Sequence, residues 1–330
     1  MPQFSIIIPV VRINDYIYES IRQILNLDFQ DFEILIFPNI TSKEKFSKTK
    51  IIPTGKIGPA EKRNLALQYA AGNILAFLDD DAYPQNNWLS QAIKNFQDPR
   101  IAAIGGPAIT PHTNSIRQKA SGVCLASSFV GGISDRYLPG KKRKLVSDWP
   151  SVNFLVRQSF FKKIGGFHSQ YWPGEDTKFC LDLIQAGGKI IYDPKLIVYH
   201  HRRKTFRKHL QQVAGYGIHR GFFAKKLPQT SRKLTYFIPS LFLFFLICIL
   251  PLALIIKARG YVHLFDIYLG ILGLYCLGLV IAVIQAILRE KNPIIGILAI
   301  PYILCTHLVY GAKFIQGFLF TRNLKSKLEK

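Results

Sequence analysis

Three consecutive carboxylates, Asp79, Asp80 and Asp81, follow the apolar run "NILAFL". Asp79 and Asp81 are separated by one residue, and alternate residues of an extended chain face the same side. Both carboxylates can therefore reach one cation. Oxygen ligands of this kind suit Mg²⁺ or Mn²⁺, which commonly bind substrate phosphates as well. The alternative is an exposed turn rich in aspartate, which needs no metal.

Two further acidic residues, Glu175 and Asp176, lie in "WPGEDTKF". A carboxylate held close to an acceptor hydroxyl can act as a general base. The preceding aromatic residues Tyr171 and Trp172 could form an apolar wall for a sugar ring. The competing interpretation is structural, because acidic residues in the first turn of a helix are stabilised by the helix dipole.

Histidines and basic residues complete the set of candidates. His200 and His201 end a predicted strand, where one of them could supply a nitrogen ligand to the same metal. Paired histidines are also commonly structural or exposed. The segment "GPAEKRN" places Lys62 and Arg63 at the start of a predicted helix, an arrangement suited to phosphate. Alone it is a weak indicator, since basic residues are common on exposed helices.

The elements that position these residues alternate between strand and helix. Buried strands are predicted for "FSIIIPV", "FEILIF" and "NILAFL", with helices at "INDYIYESIRQILNL" and "GPAEKRNLALQYAAG" between them. A later helix, "GEDTKFCLDLIQAGG", precedes a strand, turn and strand in "KIIYDPKLIVYHH". The alternation predicts an α/β fold with a mostly parallel sheet. Ligands of such sheets bind beyond the carboxyl ends of the strands, where Asp79 to Asp81 lie.

Long apolar stretches dominate beyond about Lys233, at residues 234–256, 261–288 and 294–320. Each is long enough to cross a hydrocarbon core of about 30 Å. We therefore expect a membrane region over residues 226–330 with about three hydrophobic helices. The third is the weakest, because Pro301, His307 and Lys313 interrupt it. Basic "KKLPQTSRK" places the start of the first helix in the cytosol, but three crossings would leave the basic tail "TRNLKSKLEK" outside. Either one segment does not cross or the rule fails here, and we expect three crossings.

The chain carries 43 Lys and Arg against 20 Asp and Glu, a formal net charge of +23. Such a surface attracts nucleic acid, anionic lipid or phosphorylated substrates. Nucleic-acid binding explains neither the apolar half nor the ordered acidic motifs, so we expect no nucleic-acid partner. The N-terminus "MPQFSIIIPV" lacks the basic and long apolar regions of a signal peptide. We expect a multi-pass protein of the cell membrane with a cytosolic N-terminal domain.

Together, these motifs resemble those of the family 2 glycosyltransferases, which have the GT-A fold. The segments that carry the resemblance, in order, are "SIIIPV", "GPAEKRNLAL", "NILAFLDDDAYP", "NFLVRQSFFKKIGGF" and "GEDTKFCLDLIQAGGKIIYDPKLIVYHH". The similarity covers roughly residues 4 to 225, and trailing membrane helices are common in the family. It implies a GT-A domain at residues 1–225 that binds a nucleotide-diphospho-sugar, first of all a UDP-sugar, together with Mg²⁺ or Mn²⁺.

The resemblance also implies roles for individual residues. Asp79 would lie near the nucleotide ribose or the metal, and Asp81 and His200 would bind the metal. Asp176 would be the catalytic base, with Glu175 as the alternative. The residues expected to contact the nucleotide-sugar are Pro9, Val10, Asn39, Lys62, Arg63, Asp79 and Asp80.

Two departures from the family pattern bear on specificity. After the second strand the family usually carries an acidic residue that reads the base, whereas this chain has Asn39 in "IFPNITS". An amide can still hydrogen-bond a base edge, but the implied uridine preference is weaker. Polymerising members carry a Gln-x-x-Arg-Trp motif. "QQVAGYG" has Gln211 and Gln212 without the Arg-Trp pair, which argues against processive polymerisation.

The sequence thus predicts a membrane-anchored, inverting, metal-dependent glycosyltransferase. The sugar would pass from a nucleotide-diphospho-sugar to an acceptor hydroxyl on a lipid-linked or cell-surface glycan, such as a cell-envelope polysaccharide. One rival is transfer to polyprenyl phosphate, an anionic acceptor that needs no strong base. A rival from another class is a non-catalytic membrane scaffold that binds anionic lipid.

Overall fold

The computed structural model describes residues 1–131, 133–259 and 262–324. Two compact units account for nearly all of them. One is built mainly from residues 1–111 and 135–201, and the other from residues 112–134 and 202–323. The domain boundary predicted between residues 225 and 226 stays a prediction. Residues 202–225, which the sequence analysis placed in the first domain, belong to the second compact unit.

Eleven strands lie within the described residues, all in the first unit. They are β1 (Phe4–Pro9), β2 (Phe32–Phe37), β3 (Thr49–Ile51), β4 (Ile74–Leu78), β5 (Ala82–Pro84), β6 (Ile101–Gly105), β7 (Ala108–Ile109), β8 (Lys144–Leu145), β9 (Asn153–Arg157), β10 (Lys189–Tyr192) and β11 (Val198–His200). Eight form one sheet in the order β3-β2-β1-β4-β9-β6-β10-β8, and three form a small sheet in the order β5-β11-β7.

Parallel pairing dominates the half of the main sheet around β1. Strand β1 is parallel to β2 and β4, and β2 is parallel to β3. Strand β9 is antiparallel to both β4 and β6. The predicted α/β fold is confirmed. The shared direction of β1, β2 and β4 brings their carboxyl ends to one edge of the sheet, where the candidate site residues begin.

Both faces of β1 are buried, which explains its continuous β-branched sequence. Ile6 and Ile8 belong to one core cluster, together with Ile17 of the following helix. Ile7 lies on the other face, in a second cluster with Leu35. The sheet is therefore covered on both sides, as in layered α/β proteins.

Thirteen α-helices lie within the described residues. They are α1 (Asp15–Leu25), α2 (Pro59–Asn64), α3 (Ala66–Tyr69), α4 (Trp88–Asn95), α5 (Ile116–Ala126), α6 (Gln158–Ile164), α7 (Glu175–Gln185), α8 (Phe206–Lys226), α9 (Pro228–Ser231), α10 (Leu234–Phe244), α11 (Leu250–Ala258), α12 (Val262–Glu290) and α13 (Pro293–Ile315). The Asn14 side chain caps α1 by accepting hydrogen bonds from the backbone of Tyr16 and Ile17. The single helix predicted for "GPAEKRNLALQYAAG" is instead two short helices, α2 and α3, that meet at Leu65.

The second unit holds the three apolar segments. Helices α10 and α11 are joined by a π-helical turn at Phe245–Ile249, and α13 ends in another at Gln316–Phe320. By length and composition, three segments could cross a membrane: Leu234–Ile255, Phe265–Glu290 and Pro293–Phe320. These agree with the predicted segments, although the predicted start of the second, Tyr261, lies outside the described residues. In an 18-residue apolar window of the third segment, 44% is buried within the protein, against 17% and 11% in the corresponding windows of the first two.

Candidate active site

A compact group of three potential metal ligands lies beyond the end of β4. One atom from each of Asp79, Asp81 and His200 falls within 4.8 Å of the others. The His200 Nε2 atom is 2.9 Å from an Asp81 carboxylate oxygen. Two carboxylates and an imidazole are a ligand set that suits Mn²⁺. It suits Mg²⁺ less well, because Mg²⁺ prefers oxygen ligands. This part of the chain therefore provides the donor atoms that a divalent cation needs.

The small sheet brings His200 to the aspartates. Strand β11 is antiparallel to β5, with His200 opposite Ala82, the residue that follows Asp81. The His201 N–H also donates a 2.9 Å hydrogen bond to the Asp81 carbonyl. The imidazole is thus held by main-chain pairing between segments that are far apart in sequence, and its position does not depend on a flexible loop.

Arg63 links the aspartates to the second acidic motif. Its guanidinium donates to Asp79 over 2.8 Å and to Glu175 over 2.9 Å. The Arg63 and Glu175 side chains are each 5% exposed. The guanidinium thus bridges two carboxylates through charge-assisted hydrogen bonds, which are stronger than neutral ones. Arg63, which the sequence analysis assigned to phosphate binding, therefore holds together the end of β4 and the start of α7.

The two acidic residues of α7 differ in accessibility. Glu175 is buried, and burial together with the neighbouring Asp176 raises the pKa of Glu175 to about 7, while Arg63 acts in the opposite direction. Asp176 is partly exposed, and its carboxylate accepts a 2.8 Å hydrogen bond from the Thr177 N–H. A general base must reach the hydroxyl that it deprotonates. Asp176 meets that requirement better than Glu175, whose carboxylate is committed to Arg63.

A polar corner lies at the carboxyl ends of β1 and β2. The buried Lys62 ammonium donates to the Val10 carbonyl and to the Asn39 side-chain oxygen, each over 2.5 Å. Burial lowers the pKa of Lys62 to about 8, although the Asp80 carboxylate favours its charged form. Pro9 ends β1 immediately before this corner. Four of the residues expected to contact the nucleotide-sugar are thus brought together, and their role remains a prediction.

His201, the second histidine of the motif, has different neighbours from His200. Its Nε2 atom is 2.7 Å from the Glu19 carboxylate, and its ring centroid is 4.6 Å from that of Tyr16. Both partners belong to α1. Sequence reasoning did not find this contact, nor the pairing of Arg63 with Glu175, because neither leaves a local pattern in the chain.

Comparisons with known proteins identify the family to which the N-terminal part of the chain belongs. Residues 5–165 match the family described as Glycosyl transferase family 2. This part of the chain is a family 2 glycosyltransferase domain. A full-length similarity accompanies it: a Methanococcus voltae protein is 22% identical over 96% of this chain and 97% of its own length. It is named dolichyl N-acetyl-α-D-glucosaminyl phosphate 3-β-D-2,3-diacetamido-2,3-dideoxy-β-D-glucuronosyltransferase.

Two further comparisons concern the glycosyltransferase domain and the fold. A pre-mycofactocin glycosyltransferase of Mycobacterium tuberculosis is 32% identical over 48% of this chain, and the match spans only 33% of that protein. Among solved structures, the mannosyltransferase PcManGT from Pyrobaculum calidifontis, in complex with GDP-Man and Mn²⁺, is 16% identical. It has a TM-score of 0.55 over 98% of this chain and 88% of its own. The GT-A type α/β fold, followed by a helical C-terminal region, is thereby confirmed.

Proposed function

We propose that this protein is a membrane-anchored, metal-dependent, inverting glycosyltransferase that acts on a lipid-linked glycan. The observation that carries the proposal is the grouping of Asp79, Asp81 and His200 within 4.8 Å, connected through Arg63 to the acidic start of α7. This arrangement supports a diphosphate-binding metal site close to the helix turn that carries the candidate base. Such proximity is what single-step sugar transfer needs.

The three ligands fit a divalent cation by their chemistry. Two carboxylates supply hard oxygen donors and the imidazole supplies nitrogen. When bound there, Mg²⁺ or Mn²⁺ would neutralise the negative charge that develops on the diphosphate leaving group. Arg63 would support this site, because its two ion pairs hold Asp79 on one side and Glu175 on the other.

Asp176 is the base in this proposal. Its carboxylate removes the proton of the acceptor hydroxyl as the hydroxyl oxygen bonds to the anomeric carbon. The bond from that carbon to the diphosphate oxygen breaks on the opposite face, which inverts the configuration. No covalent bond forms between the sugar and the protein. Glu175 remains the alternative base, and its burial and pairing with Arg63 argue against it.

The donor and acceptor are proposed by class. The corner formed by Pro9, Val10, Asn39 and Lys62 is the proposed nucleobase site, with a UDP-sugar as the first donor to test. For the acceptor, the full-length relative from Methanococcus voltae is named for a dolichyl sugar phosphate, and three helices of this chain are candidate membrane spans. Both support a glycan on a polyprenyl-type carrier, reached from the cytosolic face of the cell membrane.

The test is a donor screen with the purified full chain and Mn²⁺. Release of the nucleoside diphosphate would be followed for UDP-, GDP- and TDP-sugars, with and without polyprenyl-linked sugar acceptors. We expect acceptor-dependent release with one donor class. Transfer to polyprenyl phosphate alone would support the rival acceptor. Absence of both binding and release across the panel would contradict an enzymatic role and favour the lipid-binding scaffold.

A further inference from the structure

The start of the first apolar segment lies beside the end of the third. The Phe237 ring of α10 is 4.7 Å from that of Phe314 and 5.7 Å from that of Phe318, measured between centroids. The Ser240 hydroxyl donates to the Gly311 carbonyl over 3.0 Å. These contacts place the first turns of α10 level with the last turns of the third apolar segment.

Helix α8, which precedes the first apolar segment, also ends level with the end of the third apolar segment. Two contacts, one near each of its ends, indicate that it runs parallel to the third apolar segment. Near its start the imidazole of His209 is 2.9 Å from the Thr306 hydroxyl, and near its end the Lys225 ammonium donates to the Thr321 carbonyl over 2.8 Å. The end of α8 and the end of the third apolar segment are therefore at the same level.

This placement decides a question that the sequence left open. Three full crossings between Lys225 and Thr321 would put these two residues on opposite sides of a bilayer about 30 Å thick. A hydrogen bond from Lys225 to Thr321 is incompatible with that separation. The chain between them must cross an even number of times, so the basic segments before the first helix and after the third share one side, as the positive-inside rule favours.

The shared side carries a concentrated positive charge. We call the following five exposed side chains the basic rim: Lys225, Lys226, Arg232, Lys233 and Arg322. From residue 202 to residue 324 the sequence has only two acidic residues, Asp266 and Glu290. Basic residues next to membrane helices are attracted to anionic headgroups by about 1 kcal/mol each. The rim lies where such headgroups would be, at the ends of two apolar segments.

We propose that both ends of the apolar region emerge on one side of the membrane, where the basic rim binds the headgroups of anionic lipids. The occupant is the phosphate-bearing headgroup of a bilayer lipid. The inference rests on contacts within the second unit and is independent of the proposed enzymatic function. It also explains how a basic C-terminal segment is compatible with three apolar helices.

The first experiment measures sidedness. Gln229→Cys and Asn323→Cys, both at exposed positions, would each be introduced into the full chain. A membrane-impermeant maleimide would be added to sealed vesicles of known orientation, and the unsubstituted chain, with its five cysteines, would set the background. We expect both positions to be labelled from the same side. Labelling from opposite sides would overturn the proposal.

The second experiment measures headgroup binding. The solubilised full chain would be titrated with phosphatidylglycerol, with phosphatidylcholine as the neutral lipid, and lipid binding followed by native mass spectrometry. Changing the five rim residues to Gln should weaken phosphatidylglycerol binding by about 5-fold for each side chain. The matched control changes five exposed basic residues of the first unit to Gln: Lys43, Lys45, Lys141, Lys142 and Arg143.

The control should bind phosphatidylglycerol like the unsubstituted chain, and Arg322→Gln alone should show the single-residue effect. Equal binding by the rim variant and the unsubstituted chain would overturn the headgroup assignment. Displacement of the lipid by an equal concentration of inorganic phosphate would also overturn it, because the rim would then be a site for free phosphate.

Discussion

Asp176 and Glu175 are adjacent in sequence but lie in different surroundings. Glu175 is buried and paired with Arg63, whereas Asp176 is partly exposed. We predict that Asp176→Asn lowers the rate constant of sugar transfer by about 10²- to 10⁴-fold, the usual contribution of a general base. Donor affinity should stay unchanged. Single-turnover kinetics and a donor-binding titration check both statements.

Glu175→Gln is the comparison for that prediction. It leaves Arg63 with one buried charge partner fewer, and breaking a buried pair costs about 3 kcal/mol of unfolding free energy. We therefore expect loss of stability, seen as a lower unfolding midpoint. Full transfer by Asp176→Asn, combined with transfer abolished in a stable Glu175→Gln protein, would reassign the base to Glu175.

The two histidines provide a matched pair of variants for the candidate metal site. His200 lies 2.9 Å from Asp81, whereas His201 lies 2.7 Å from Glu19, outside the ligand group. His200→Asn should weaken Mn²⁺ binding by about 10- to 100-fold or more, since even supporting residues of metal sites have effects of that size. His201→Asn should leave Mn²⁺ affinity unchanged. Electron paramagnetic resonance of free Mn²⁺ measures both, and equal affinities for both variants would remove His200 from the site.

At the scale of the elements, single strands and helices could be predicted from the sequence, whereas the pairing of distant strands could not. The strand before Asp79 and the helix that begins at Glu175 could be predicted, because each carries its own periodicity and end signals. The pairing of β11 with β5 could not, because the register of two distant strands depends on the whole sheet. The helix predicted over "GPAEKRNLALQYAAG" divides into α2 and α3, although its spacing is uniformly helical.

Helix α8 contributes a testable dependence of stability on pH. His209 is fully buried, with its ring nitrogens 2.8 Å from the Ser121 hydroxyl and 2.9 Å from the Thr306 hydroxyl. Burial lowers the pKa of His209 to about 4. The unfolded chain binds a proton at His209 more readily than the folded chain does. The contribution of neutral His209 to the free energy of unfolding is therefore complete above about pH 6.5 and is lost as the pH falls from there through 4.

We predict that acidification from pH 7 to pH 4 lowers the free energy of unfolding through His209 by at most about 3 kcal/mol. His209→Gln keeps a polar side chain there but does not titrate, so its unfolding midpoint should change less over the same range. The measurement is thermal unfolding of the full chain in detergent. Parallel pH profiles for the two proteins would contradict the assignment.

At the scale of the whole molecule, composition predicted that the acidic motifs and the apolar segments lie in different parts of the chain. It did not predict where one part ends and the other begins. The acidic motifs lie in the first compact unit, and the apolar segments lie in the second. The second unit also includes α5 and α8, which are not apolar enough to be recognised as part of a membrane region. The excess of basic residues indicated anionic partners, while the three-dimensional contacts of Lys225 and Phe237 were needed to show which ends of the apolar helices adjoin.

The measurement that tests the central claim most directly is sugar transfer by the full chain as a function of added metal. The protein would be treated with excess chelator and then titrated with Mn²⁺, using the donor identified by the screen. We predict that chelation abolishes transfer, that Mn²⁺ restores it, and that Asp81→Asn requires a higher Mn²⁺ concentration for the same rate. Undiminished transfer in excess chelator would contradict the role given to Asp79, Asp81 and His200.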